Sequence, residues 1–188
     1  VTRNEAIAAL PFRSGGDVWL DQHVKAAVQA GGEALYRWGD VTAALAAAPK
    51  LTHTLQGLKA TQIMALLGYP TLHPEGRFYP DTYYYSSGMS DLLILQRALH
   101  RMEALLDEEW ANRASDLPLR TRDEALVLAS IIEKETGKPD ERALIAGVFV
   151  NRLRVGMRLQ TDPTVIYGLG DKFTGNLQVK HLVSVFVM

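Results

Sequence analysis

The sequence predicts a fold built mainly from helices, and three observations support this. Apolar residues recur at three- and four-residue intervals through long stretches of the chain. Signals that start and stop helices flank several of these stretches, the clearest being the pair Thr121 and Glu124, then Pro139 and Gly156. One stretch, residues 74–89, lacks helical spacing and is rich in aromatic residues, which indicates a loop with a short extended piece.

The composition is that of a globular protein. Of the 188 residues, 47% are hydrophobic and 22% are charged, which is enough for a packed core. The net charge of -1 excludes a general nucleic-acid-binding surface, which needs an excess of Lys and Arg to neutralise phosphates. The lack of cysteine excludes disulfides, cysteine-ligated zinc and a thiol nucleophile. The sequence has no apolar run of about 18 residues that would predict a transmembrane helix, and its N-terminus lacks the pattern of a signal peptide.

Three short helices are predicted before the aromatic stretch. Apolar spacing favours a first helix over residues 19–28. A second covers residues 40–48, from an aspartate N-cap to a stop at Pro49. A third covers residues 61–67 and ends at Gly68. No residue in this part of the chain indicates a reaction.

A long helix is predicted after the aromatic stretch, with Ser90 as its N-cap. The aromatic run from Phe78 to Tyr85 has two interpretations. Its rings suit stacking on sugar rings, and they equally suit a half-buried strand with side chains on alternating faces. The buried face of the long helix is predicted to contain Leu92, Leu95, Leu99, Met102, Leu105 and Leu106.

Two further helices are predicted beyond residue 120. Thr121 and Glu124 form a capping-box pattern, which opens a helix that ends near Thr136. Pro139 lies in the first turn of the next helix, and Gly156 ends that helix. The buried stripe of this second helix is predicted to consist of Leu144, Ile145, Val148, Phe149 and Leu153.

A polar stretch covers residues 151–164 and is dense in amides, guanidinium groups and hydroxyls. Such groups suit the hydroxyl and N-acetyl groups of a sugar. The alternative is structural: a polar helix end followed by one short helical turn, with Asp162 as its cap, Pro163 as its first residue and Gly168 at its end. The five histidines have no spacing typical of a metal site.

Glu133 is the strongest candidate for a reactive group. At about 100° per residue it projects on the apolar side of its helix, and no residue three or four positions away is basic. A carboxyl group in an apolar setting without a cation has a raised pKa, as a general acid requires. Glu135 is the contrast, because Lys138 lies three positions on and can pair with it. The alternative for Glu133 is an ion pair with an arginine from elsewhere in the fold.

Several linked blocks of the sequence resemble those of MltG-type (YceG-like) endolytic murein transglycosylases. The helix that contains Glu133 reads LASIIEKET over residues 128–136, and it is similar to the catalytic helix of that family. The blocks VFVNRL at 148–153 and GMRLQTDPTVIYG at 156–168 follow it in the family's order. An upstream block, with Glu-Gly and Pro-Asp-Thr-Tyr elements, lies within residues 75–83.

The resemblance covers roughly residues 40–177 and implies an α+β fold class. A helix-rich catalytic domain fragment would follow a small LysM-like or helical N-terminal portion. The implied segments are an unmatched N-terminal segment (1–39), a LysM-like module remnant (40–73), a truncated YceG-like catalytic region (74–177) and a divergent tail (178–188). The C-terminal block expected in the family, with its Asn-Thr-Tyr and Gly-Leu-Pro-Pro-Gly motifs, is missing from this sequence.

The resemblance also implies a function: cleavage within peptidoglycan glycan strands, with Glu133 as the catalytic residue. Glu133 would act first as acid and then as base on the bond between N-acetylmuramic acid and N-acetylglucosamine, leaving 1,6-anhydro ends and limiting the length of nascent strands. Asn151, Gln160 and Thr161 are candidates for binding the sugar. No metal or organic cofactor is required.

The implied partners are glycan strands and the cell-wall elongation machinery. The implied location is the bacterial inner membrane, with the catalytic part facing the periplasm and an anchor that this chain lacks. Two other functions stay open. One is a non-catalytic glycan-binding fragment of the same family. The other, less favoured, is an aminodeoxychorismate lyase, which needs a Schiff-base lysine and a phosphate-binding loop for which the sequence has no motif.

Overall fold

The structure is a computed structural model, and it describes residues 38–81, 83–170 and 173–177. The helix predicted over residues 19–28 and the tail 178–188 lie outside the described residues. No helix within the described ranges is long and apolar enough to cross a lipid bilayer. The described residues contain six helices: α1 (Trp38–Ala47), α2 (Ala60–Leu66), α3 (Asp91–Ala111), α4 (Arg122–Glu135), α5 (Pro139–Arg154) and α6 (Asp162–Leu169).

The described residues divide into two compact units, and the division falls inside α3, between Leu105 and Leu106. We call the described residues up to Leu105 the N-terminal unit and those from Leu106 onward the C-terminal unit. The N-terminal unit contains α1, α2 and most of α3. The C-terminal unit contains the end of α3 together with α4, α5 and α6.

The predicted α+β class, with a LysM-like portion over residues 40–73, is wrong. Throughout the described ranges the regular structure is helical, and β-pairing is limited to an isolated parallel bridge between Thr52 and Ser90. Residues 40–73 contain α1 and α2, connected by turns. The fold of the described residues is therefore α-rich.

The contacts of the aromatic stretch explain why it does not become part of a sheet. Tyr79 donates its backbone N–H to the carbonyl oxygen of Ala98 in α3 at 3.1 Å. Arg97 donates from Nη1 to the carbonyl oxygen of Tyr84 at 2.7 Å, and the Arg101 guanidinium lies 4.8 Å from the centre of the Tyr79 ring. Residues of α3 thus supply the hydrogen bonds and packing that a neighbouring strand would otherwise supply.

The N-terminal unit packs against one face of α3, largely as predicted. Leu95, Leu99 and Met102 are buried, and Leu92 and Leu105 are half-buried. Leu95 belongs to a core cluster with residues from the preceding elements and loops: Leu45, Ala48, Leu51, Leu55, Ile63 and Tyr83.

The start of α3 is fixed by two polar side chains. The predicted cap, Ser90, accepts the backbone N–H of Leu92 on Oγ at 3.1 Å. Asp91 is 3% exposed and accepts from the N–H and hydroxyl of Thr54 at 3.0 and 2.6 Å, from Leu55 N–H at 3.2 Å and from Leu92 N–H at 2.9 Å. This carboxylate therefore ties the loop before α2 to the first turn of α3.

In the C-terminal unit, α4 begins at its predicted N-cap, Thr121. The Thr121 hydroxyl accepts the N–H of Glu124 at 3.2 Å. The Glu124 carboxylate accepts from Arg120 N–H at 2.6 Å, one residue before the N–H that a capping box uses. The apolar face of α4 packs against α5 in a cluster formed by Leu128, Ile131, Ile132, Ala146, Phe149 and Val150.

The ends of α5 agree with the prediction and those of α6 do not. Pro139 is the first residue of α5, and the chain leaves that helix through Gly156, whose φ of 68° favours glycine. For α6 the N-cap position is Thr161 rather than Asp162. The helix continues past the predicted end and is followed by Gly170.

The predicted buried stripe of α5 is wrong at two positions. Ile145, Phe149 and Leu153 pack in the core cluster as expected, but Leu144 is 72% exposed and Val148 is 45% exposed. Leu144 and Val148 each precede a residue of the core cluster by one position, which is about 100° around the helix. They therefore lie on the side of α5 that its neighbours do not cover. The contact surface of α5 is narrower than its apolar composition suggested.

Candidate active site

Glu133 lies in the last turn of α4, and its side chain is 25% exposed. Its neighbours Ile131 and Ile132 are 7% and 2% exposed and lock the helix into the core. Because those neighbours cannot rotate without leaving the core, the backbone at Glu133 is fixed. The carboxyl group is thus held on a rigid helix and still reaches the surface.

Arg142 of α5 pairs with Glu133. Its Nη2 lies 2.8 Å from one carboxylate oxygen of Glu133 and donates to the other at 3.1 Å. The Arg142 side chain is 19% exposed, so water screens the pair poorly. The expectation of a carboxyl group without a nearby cation is therefore wrong. The alternative interpretation, an arginine from elsewhere in the fold, is the one that the structure bears out.

Two opposing effects act on the charge of Glu133, and their magnitudes differ. The carboxyl end of α4 disfavours a negative charge, typically by about 0.3–1 kcal/mol. A hydrogen bond to a charged partner typically contributes about 1.5–3 kcal/mol. The arginine therefore dominates, and the arrangement favours the ionised carboxylate.

Sequence reasoning missed Arg142 because it considered only neighbours within one helix. The signal was nevertheless present. A three-residue connection, Thr136 to Lys138, joins α4 to α5, so the last turn of one helix must lie beside the first turns of the next. Arg142 comes three residues after the start of α5, which places it opposite the end of α4.

The connection between α4 and α5 is held by a chain of polar contacts that does not include Glu135. Thr136, 7% exposed, donates its hydroxyl to Glu141 at 2.8 Å and accepts the N–H of Lys138 at 3.0 Å. The Lys138 ammonium pairs with Glu141 at 2.8 Å. These bonds, first from Lys138 and then from Thr136, lower the pKa of the Glu141 carboxyl. The predicted pair of Lys138 with Glu135 is replaced by this one.

Glu135 instead accepts a hydrogen bond from the hydroxyl of Thr161. Thr161 is 4% exposed, and its hydroxyl is committed to α4, so it makes no side-chain cap of α6. The preceding residue, Gln160, has a φ of 51°, a left-handed conformation that is uncommon outside glycine. This turn brings the start of α6 against the end of α4, two residues beyond Glu133.

The predicted sugar-binding residues have different surroundings. Thr161 is buried and tied to α4, and Gln160 is exposed beside it. Asn151 is exposed near the end of α5, where its side chain accepts from Arg154 Nη1 at 3.3 Å. Among the described residues, no hydrogen bond links Asn151 to Glu133. No group of three His, Asp or Glu side chains suited to a metal ion occurs in the described part of the chain.

The end of α4 thus carries one partly exposed carboxyl group beside one largely buried guanidinium. A single carboxyl group that can gain and lose a proton is sufficient for acid and base chemistry in turn, provided that the nucleophile comes from the substrate. Hydrolysis through two carboxylates would need a second carboxyl at a defined separation. Glu135 lies two residues further along α4, and its carboxylate accepts the hydrogen bond from Thr161.

Comparisons with known proteins show which family the sequence matches. A model of the YceG-like family matches residues 20–185, which is wider than the blocks recognised in the sequence. A protein of Streptococcus pneumoniae serotype 2 (strain D39) named endolytic murein transglycosylase is 32% identical over 113 residues, 59% of this chain and 20% of that protein. A Bacillus subtilis (strain 168) protein of the same name is 36% identical over 104 residues, 52% of this chain and 27% of that protein. The match thus spans about a fifth to a quarter of each relative.

Proposed function

The chain belongs to the YceG-like family, and we propose that it carries the catalytic helix of a peptidoglycan lytic transglycosylase. The reaction would cleave the bond between N-acetylmuramic acid and N-acetylglucosamine within a glycan strand. Support comes from the relatives named endolytic murein transglycosylase. It also comes from the single observation that carries the proposal: Glu133, in the family's motif, is a partly exposed carboxyl group on a rigid helix end.

In the proposed reaction, Glu133 serves as acid and then as base. The protonated carboxyl donates its proton to the glycosidic oxygen as the bond from that oxygen to C1 of N-acetylmuramic acid breaks. The C6 hydroxyl of the same sugar then attacks C1, and the Glu133 carboxylate takes the hydroxyl proton. The carboxyl group ends in its starting state, and the product carries a 1,6-anhydro ring. Because the nucleophile belongs to the substrate, proximity supplies much of the rate.

Other residues of the C-terminal unit would support this cycle. Arg142 favours the carboxylate, which is the form that accepts the proton in the second step. Gln160 lies on the exposed turn next to Thr161 and can offer its amide to sugar hydroxyl or N-acetyl groups. Asn151 would contribute at the edge of such a site.

The proposal also covers the product, the control of strand length, the partners and the location. The anhydro product and control of nascent strand length follow from the motif resemblance. So do association with the elongation machinery and a position at the inner membrane facing the periplasm.

The proposal is tested by mass spectrometry of uncrosslinked glycan strands digested with the 188-residue chain. We expect anhydro-muropeptide ends from the wild type and none from Glu133→Gln. Glu108→Gln is the matched control, because Glu108 is an exposed carboxylate of the same unit, and it should retain wild-type product.

Two outcomes would overturn the proposal. Reducing ends in place of anhydro ends would indicate a hydrolase. Binding of insoluble peptidoglycan without any cleavage would favour the non-catalytic glycan-binding alternative.

A further inference from the structure

We propose that Arg142 is a positioning residue for the reaction: it holds the Glu133 carboxyl in one orientation and sets the pH range in which that carboxyl carries a proton. This inference rests on the proposed function and concerns a residue that the motif resemblance does not assign. It starts from the contact of Nη2 with both carboxylate oxygens of Glu133, at 2.8 and 3.1 Å.

The orientation part follows from the geometry. A carboxyl group on a two-methylene stem normally samples several rotamers at a helix surface. One guanidinium nitrogen that lies between both oxygens restricts that freedom, because rotation away breaks both contacts. Arg142 in turn is anchored by its own burial, with 19% of its side chain exposed. The reacting oxygen therefore stays at a defined point on the end of α4.

A second observation concerns the other side of the guanidinium. Arg142 Nε is buried and has no hydrogen-bond acceptor within the described part of the structure. A buried donor left without a partner typically costs about 1–3 kcal/mol. A purely structural arginine would be expected to satisfy this donor. The arrangement instead gives up one hydrogen bond of Arg142 while keeping the contact with Glu133.

The effect of Arg142 on the pH range follows from its positive charge. Moving the positive charge away from Glu133 would favour its protonated form, which is the form that the first step consumes. Glu133 also has charged neighbours on α4, on α5 and at the start of α6. Lys138 and Glu141 neutralise each other, and Glu135 is bonded to Thr161. These charged neighbours are the same in the wild type and in an Arg142 variant. They are Lys134, Glu135, Lys138, Asp140, Glu141 and Asp162.

The test measures the Glu133 carboxyl directly and the reaction separately. The δ-carbon of glutamate is labelled with ¹³C in the whole chain, and the Glu133 resonance is assigned by its loss in Glu133→Gln. We expect the pH midpoint of this resonance to rise by at least about one unit in Arg142→Gln. The pH above which anhydro-product formation declines should rise by the same amount. At its best pH the variant should be about tenfold slower, because the carboxyl is no longer held.

Arg122→Gln is the matched control. Arg122 belongs to α4 and makes a 2.5 Å pair with Asp107, but both side chains are more exposed than those of the Glu133 pair. Its loss should move neither the midpoint nor the profile. Arg142→Lys keeps the charge without the planar fork, so its midpoint should lie between wild type and Arg142→Gln. It carries the test alone if the glutamine variant does not fold.

The outcomes separate this inference from the proposed function. An unchanged Glu133 midpoint in both Arg142 variants overturns the inference, whatever product the wild type makes. A uniform rate loss with an unmoved pH profile also overturns it, since that is the signature of a merely structural residue. Lack of anhydro product from the wild type at any pH overturns the proposed function even where the midpoint moves.

Discussion

The carboxylates of Asp91, in the N-terminal unit, and Glu133, in the C-terminal unit, both lie near a helix end, and they are held in opposite ways. Asp91 of the N-terminal unit is 3% exposed and accepts hydrogen bonds from neutral donors, three backbone N–H groups and one hydroxyl. Glu133 of the C-terminal unit is 25% exposed and faces a cation, Arg142. Asp91 is thus enclosed largely by backbone donors, whereas Glu133 pairs with the side chain of Arg142 and remains reachable from solvent.

The difference indicates which unit is suited to chemistry. Backbone donors cannot move away without unfolding, so Asp91 is fixed as a structural anchor. Glu133 is partly exposed, so a bound substrate could exchange a proton with it while Arg142 stays in place. The polar contacts of the C-terminal unit connect α4 with α5 and with α6 through side chains, at Thr136 and Thr161. In the N-terminal unit, Arg97 bonds to the backbone at Tyr84, and Arg101 pairs with the Asp81 carboxylate and lies over the Tyr79 ring.

Glu133→Gln should reduce product formation more than any other substitution considered below. The amide keeps the shape of the side chain and can still accept a hydrogen bond from Arg142, but it cannot cycle a proton. We expect anhydro-product formation to fall by at least about 100-fold, while the free energy of unfolding falls by less than about 2 kcal/mol. Mass spectrometry of digests and urea denaturation measure the two quantities. Wild-type rates in a folded variant would remove Glu133 from the mechanism.

Asp91→Asn makes the same change from acid to amide in the N-terminal unit. It should lower the free energy of unfolding more than it lowers product formation. The amide presents one acceptor oxygen where the carboxylate presents two, so N–H groups of Thr54 and Leu55 compete for it and one loses its partner. We expect the free energy of unfolding to fall by about 2–4 kcal/mol, with product formation per folded molecule far less affected than in Glu133→Gln. Asp116→Asn, which breaks an exposed pair, should cost less than about 1 kcal/mol. Equal losses in the two aspartate variants would contradict the anchor role of Asp91.

A smaller effect is expected from Glu135→Gln. Its partner is the Thr161 hydroxyl, and an amide oxygen accepts that hydrogen bond as a carboxylate oxygen does. We expect less than about a tenfold loss of product formation. Thr161→Val keeps the volume and removes the donor, and it should cost about 1 kcal/mol of stability. If Glu135→Gln were as damaging as Glu133→Gln, both glutamates would have to act in the reaction.

The parts of the fold that the sequence predicted correctly depend on short-range physics. The cap at Thr121, the proline that opens α5 and the glycine that ends it are each decided within a few residues. The buried face of α3 follows in the same way from helical spacing. In the candidate site, the predicted end of the helix near Thr136 correctly places Glu133 in its last turn.

The predictions that were wrong concern features decided by contacts between elements that are distant in the sequence. The exposure of Leu144 reflects how much of α5 its neighbours cover, and no local pattern contains that information. The pairing of Arg142 with Glu133 spans two helices. The α+β class came from family resemblance, and the aromatic stretch found its partners on α3 rather than in a sheet. The roles of Asn151 and Gln160 remain predictions.

Tyr83→Phe, in the N-terminal unit, should have a small effect on how stability depends on pH. Tyr83 is 7% exposed, and its hydroxyl donates to the carbonyl oxygen of Tyr79 at 2.7 Å. Burial, aided by the nearby Asp81 carboxylate, raises the pKa of Tyr83 above its ordinary value, although Arg101 and Arg97 oppose this. The unfolded chain therefore ionises first as pH rises past about 10, and from there this tyrosine costs stability.

Below that pH the wild type should be more stable than Tyr83→Phe by about 1 kcal/mol, the contribution of one hydrogen bond. The gap should then close by up to about 1.4 kcal/mol per pH unit, because phenylalanine has no proton to lose. Urea denaturation of both proteins at pH 8, 10 and 11 measures the difference, in which all other titrations cancel. A gap that stays constant through pH 11 would mean that the Tyr83 hydroxyl ionises as readily in the folded unit as in the unfolded chain. The N-terminal unit would then exclude water less completely than the sealed state of Asp91 indicates.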